Sequence, residues 1–144
     1  MSNVFNIAAY ITDNIEVDKL KLQKLLYYTQ AVSLVRFNKP AFDAIIEAWD
    51  YGPVVPDVYK KIKKYDVPIK VQPANKPLQL EDHVVLSIDM VLKFYGNMSG
   101  LELMAETHAE KPWREAYKKG QNIEITNRAI KAYYKKVYEF VDNE

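Results

Sequence analysis

One segment of the chain, VDKLKLQKLLYYTQAVSLVRF (17–37), leaves few folds open. Asp18 is placed to cap a helix, and Lys19, Lys21 and Lys24 mark wetter positions in its first turns. From Leu25 the segment is apolar on nearly every side until Arg36. A helix apolar all round has no face to give to water, so other elements must surround it. The pattern predicts a central helix over 18–37. FNKP ends it, because Pro40 cannot continue a helix and restricts Lys39.

The remaining segments supply that surround. Val4, Ala8, Ile11 and Ile15 follow at spacings of four, three and four, one helical face, with Asn3 or Ser2 as its cap. AIIEAWDY (44–51) reads as a short strand broken by Gly52-Pro53. A helix then starts near Pro53 or Pro56 and runs to about Lys64, with Asp57 at its positive end. Pro68, Pro73 and Pro77 make 66–82 a loop, with two short strands expected at 69–72 and 78–80, and a candidate mobile flap. Val84, Ile88, Val91 and Tyr95 form the next stripe, widened by Val85 and Leu92 and stopped at Gly96-Asn97. Ser99 with Glu102 is a capping box for a helix over 100–108. Pro112 opens a helical turn closed by Gly120. Thr126 caps a last helix whose stripe is Ile130, Tyr134, Val137 and Val141. The expected fold class is mainly α (α+β): a single compact helical domain, 1–144, around a central buried helix, with a small β-hairpin or short strands in mid-chain.

Composition removes several functions. The chain has no cysteine, so disulfides, a thiol nucleophile and thiolate zinc sites are excluded. It carries 20 basic and 19 acidic residues, a net charge of +1, which gives no bulk field toward nucleic acid or an anionic membrane. There is no run of about 18 apolar residues to span a bilayer and no basic leader segment, so a cytoplasmic location is expected. No G-x-S-x-G motif occurs, and the 4 glycines do not cluster into a phosphate cradle. Lys60 to Lys64 is read as a solvated helix face with Val58 and Ile62 turned inward, phosphate contact being the weaker alternative. Glu106, His108 and Glu110 suggest a metal or acid–base site, but on a continuous helix His108 points away from both acids. Thr107 and His108 are therefore expected to end a helix, with His108 bonded to backbone. A His108-dependent enzyme is the lesser alternative, and neither metal nor cofactor is expected. His83 sits among solvated acids at a helix start. Trp49, Tyr51 and Tyr59 surround Gly52, Pro53 and Pro56. Trp49 is expected to pin this corner, and Tyr51, Val54 and Tyr59 to face outward.

Three motifs in order, KLQKLLYY (21–28), EAWDYGPV (47–54) and THAEKPW (107–113), resemble the Panacea antitoxin domain, also described as phage-associated GepA-like proteins and including the SocA-type antitoxins. The resemblance runs over roughly 4–141. It implies the antitoxin half of a bacterial or prophage toxin–antitoxin pair, which neutralises a cognate protein toxin, encoded next door, by direct contact. Two alternatives come with it: an adaptor that delivers its toxin to a cytoplasmic protease, and a phage-associated interaction module without a toxin. Because the chain starts at the first helix and ends at the last, it is expected to be the stand-alone form without a separate DNA-binding domain. The family supplies no catalytic residues. Of the matched positions and their neighbours, Tyr27, Tyr51, Val54, Tyr59, His108 and Trp113 are the candidates for partner contact. Leu22, Gln23, Lys24, Leu25, Leu26, Trp49, Gly52, Pro53, Thr107, Glu110 and Pro112 are the candidates for holding the fold. Gln23 and Lys24 are expected to hydrogen-bond the later motifs, and Trp113 to pack on the turn.

Overall fold

A computed structural model describes residues 1–138. Its centre is helix α2 (Lys19–Arg36), in which every residue from 22 to 34 is buried. The Asp18 side chain caps it, accepting from the Lys21 N–H at 2.7 Å, and Phe37 closes its other end. Burying a whole helix also buries its polar side chains, and each then needs a partner. Thr29 donates to the Leu25 carbonyl and Ser33 to the Lys39 carbonyl. Gln30 accepts from the N–H groups of Ala41 and Phe42 and donates to the Phe42 carbonyl, which ties down the segment that follows the helix.

Around α2 lie α1 (Val4–Asn14), α3 (Pro56–Ile62), α4 (Asp82–Tyr95), α5 (Gly100–His108), α6 (Lys111–Ala116) and α7 (Asn127–Val137). α4, α5 and α7 pack most extensively against α2, and α1 and α3 also pack against it directly. Asn3, Ser99 and Thr126 cap α1, α5 and α7, and Ser99 with Glu102 forms a complete capping box. Ile130 and Tyr134 anchor α7; Val141, assigned to the same stripe, lies outside the described residues. Strands β1 (Glu47–Trp49) and β2 (Gly52–Val54) form a tight hairpin, and β3 (Ile123–Glu124) pairs antiparallel with the other edge of β1. The fold is mainly α with this small sheet. β3 is two residues long, too short to leave a periodic trace in sequence.

Two local expectations are overturned. The 69–72 and 78–80 segments form no strands, and the loop is not free. Ile69 and Val71 are buried. The Ile69 N–H reaches the Val17 carbonyl, Val71 reaches the Thr12 hydroxyl, and Ala74 and Asn75 both donate to the Asn6 side chain. The N–H groups of Val71, Ala74 and Asn75 are satisfied by side chains of α1, and that of Ile69 by the Val17 carbonyl, instead of by a neighbouring strand. His83 is likewise not solvated: it is buried edge-on to Phe37, its Nε2 3.4 Å from the Pro40 carbonyl.

Gly52 adopts φ +111°, and a Cβ there would fall 2.5 Å from Lys24 Cε and 3.0 Å from Thr107 Oγ1. Gly120, at φ +76°, has nothing within 4 Å of that position. Gly52→Ala therefore combines backbone strain with a core clash and should cost about 2 kcal/mol or more, against about 1 kcal/mol for Gly120→Ala. Urea unfolding of the two variants checks this, and equal losses would contradict the close approach.

Candidate functional site

The three sequence motifs meet at the hairpin. From α2, Gln23 accepts the Val55 N–H at 2.8 Å, and Lys24 Nζ donates to the Pro53 carbonyl at 3.1 Å. From α6, the Trp113 indole N–H donates to the Trp49 carbonyl at 2.8 Å. The hairpin is thus held from two sides by side chains aimed at its backbone. Thr107, at the end of α5, closes over Gly52 beside Lys24.

A second cluster lies behind it. Glu110 stands at the N-terminal boundary of the short α6, but its side chain turns inward, where the hydroxyls of Tyr28 and Tyr134 both donate to its Oε1, at 2.6 and 2.7 Å. Tyr28 stacks on Tyr95 at 4.0 Å, and the Tyr95 and Tyr138 hydroxyls bond each other at 2.9 Å. Outside, the rings of His108, Trp113 and Tyr117 stack in a row, at 3.8 and then 4.6 Å. The Tyr117 hydroxyl donates to Asp50 in the hairpin turn.

Burial dominates the electrostatics. It lowers the Lys24 ammonium to about 7, opposed by the negative charge of Asp18. It raises the Glu110 carboxyl above the usual carboxylate range, opposed by the two tyrosine donors and helped by the charge of Glu106. His108 is held below its ordinary value by burial first and by the Lys24 charge second, opposed by the backbone of Asp50. His108 lies on the ring stack while Glu110 is committed to tyrosines, so no hydrogen bond joins them. Among the described residues no three His, Asp or Glu side chains gather as a metal cluster, and no helix is long and apolar enough to cross a membrane.

Several candidates sit elsewhere than sequence placed them. Tyr27, 1% exposed, is interior and packs edge-on to Tyr28 and Tyr134, and Val54, 6% exposed, is largely covered and shows only its edge to a groove between α2 and the hairpin. Lys24 is not a wet position, because the hairpin covers it completely. Trp49 is half-buried with its indole N–H on Glu47, so the pin of the corner is Trp113, which grips the carbonyl of Trp49. Tyr51 is 70% exposed, and the half-buried Tyr59 meets Trp49 edge-on at 4.9 Å. His108 is half-buried and Trp113 is 9% exposed. Leu22, Leu25, Leu26, Pro53, Thr107 and Pro112 are all interior. Lys60, Lys61, Lys63 and Lys64 point outward above buried Val58 and Ile62.

Between α2, the hairpin and the 120–122 turn lies a groove of about 410 Å³. Leu20, Trp49, Val54 and Tyr59 give it apolar walls, Lys19, Gln23 and Lys24 line its α2 side, and Tyr51 stands at it. Sequence reading missed Asp50, Gly120 and Asn122 here. The available signal was Gly120 and Asn122, residue types that accept the left-handed backbone they adopt.

The family described as "Antitoxin SocA-like, Panacea domain" matches residues 22–114. Antitoxin SocA from Caulobacter vibrioides (strain NA1000 / CB15N) is 33% identical over 112 residues, which cover 69% of this chain and 60% of that protein. The chain therefore spans less than two thirds of that relative's length. No solved structure matches it.

Two predictions follow from the buried charges. An amine whose folded value lies near 7, against about 10.4 when unfolded, leaves the unfolded chain holding more protons between those limits. Stability contributed through Lys24 thus rises with pH from about 7 upward. Lys24→Met removes that slope, so the wild-type protein should gain on the variant between about pH 6.5 and 9 in urea unfolding; a constant gap would refute it. Tyr28→Phe should cost about 1 kcal/mol, whereas Glu110→Ala, which strands two buried hydroxyls, should cost roughly twice that or more.

Proposed function

The chain belongs to the SocA-like antitoxin family of Panacea domains, and on that premise we propose that it is an antitoxin that neutralises a protein toxin by binding it directly. Such a role is regulatory, not enzymatic. The observation that supports it is the division of labour at the hairpin. The buried motif side chains Gln23, Lys24, Glu110 and Trp113 are occupied within the fold, while Tyr51 projects from the turn they hold, beside the Trp49–Tyr59 pair and the groove. Exposed rings on a rigid turn are what a protein interface uses as anchors, since little conformational freedom is lost on docking. The toxin is expected from the neighbouring gene.

Co-expression of the two products tests the proposal. The antitoxin should restore growth and co-purify with the toxin, and Tyr51→Ala should weaken the complex at least about fivefold without lowering stability. Absence of both rescue and a complex would refute it.

A further inference from the structure

The Lys24 ammonium poses an unmet electrostatic demand. It is 0% exposed, and among the described residues its only acceptor is the Pro53 carbonyl, with no carboxylate at ion-pair distance. A buried cation served by one neutral oxygen is poorly compensated. It lies at the floor of the groove, whose volume of about 410 Å³ falls within the usual range for pockets, roughly 300–1,000 Å³. Lys19 lines the wall, with its ammonium donating to the Lys63 carbonyl. The acid among the lining residues, Asp50, is engaged by the Tyr117 hydroxyl.

We propose that this groove seats a carboxylate side chain of the bound toxin, flanked by apolar residues, with Lys24 as the counter-charge beneath its floor. The inference rests on the neutralisation reading and names the chemistry of its partner. Because Lys24 is covered, the carboxylate feels it through the protein and not by direct contact. In that low-dielectric path the attraction exceeds what the same separation gives in water. Leu20, Val54 and the Trp49 and Tyr59 rings accept the apolar flanks.

The test uses the full chain, labelled with ¹⁵N, at pH 6, below the value of about 7 to which burial lowers Lys24, so that its ammonium is charged, and two probes: acetyl-leucyl-glutamyl-leucine amide and its glutaminyl counterpart. The glutamyl peptide should shift the Trp49 indole and the Gly120 and Asn122 amide signals, with an affinity at least about threefold above that of the glutaminyl peptide. Lys24→Met should erase the preference. Equal affinities, or shifts elsewhere on the surface, overturn the proposal. Should Lys24→Met fail to fold, the wild-type preference at those three signals decides alone. The co-purified complex separates this inference from its premise. A toxin held equally by wild type and Lys24→Met overturns the carboxylate site and leaves neutralisation standing. A peptide preference without any toxin binding supports the site and overturns neutralisation.

Discussion

The β1–β2 hairpin is held by side chains that bond its backbone, and the candidate site depends on that grip. Gln23 pairs with Val55 as a neighbouring strand would, Lys24 takes the Pro53 carbonyl, and Trp113 takes the Trp49 carbonyl. Bonds to main chain hold a segment in place whatever side chains it displays. A turn fastened in this way can vary its outward residues without losing its position. The groove and Tyr51 are consequences of that fastening.

The arrangement concentrates desolvation cost at one place. Lys24 is deprived of water without a carboxylate, and Glu110 is deprived of water with two tyrosine hydroxyls as its donors. Glu110 has neutral groups that suit its charged form, and Lys24 has one carbonyl. That asymmetry marks the groove, and not the tyrosine cluster, as the place where an added charge from outside would be favourable. The His108–Trp113–Tyr117 stack joins the two regions and links α5, α6 and the hairpin turn through Asp50.

Much of the architecture was legible without coordinates, for local reasons. Apolar residues on every side of 22–34 permit only a central helix. Asp18, Ser99 and Thr126 announce helix starts because each supplies an acceptor within three residues of the N–H it satisfies. The ordered motifs announced the family. Less of the site was legible. Tyr27, Val54 and Lys24 were placed near water on the strength of residue type or local pattern, and the loop over 66–82 was read as slack because its prolines break regular structure.

Sequence by itself determined the helices, their caps, the hairpin corner at Gly52 and the family membership, because each rests on residues near one another in the chain or on an ordered pattern of identities. Only the tertiary structure decided that Lys24 is a buried cation, that Trp113 and not Trp49 is the pin, and that Asn6 and Thr12 hold down the proline-rich loop. Those outcomes turn on contacts between residues 29, 64 and 58 to 69 positions apart. Desolvation and hydrogen-bond partnership are properties of what surrounds an atom, and for these side chains the surroundings come from distant parts of the chain.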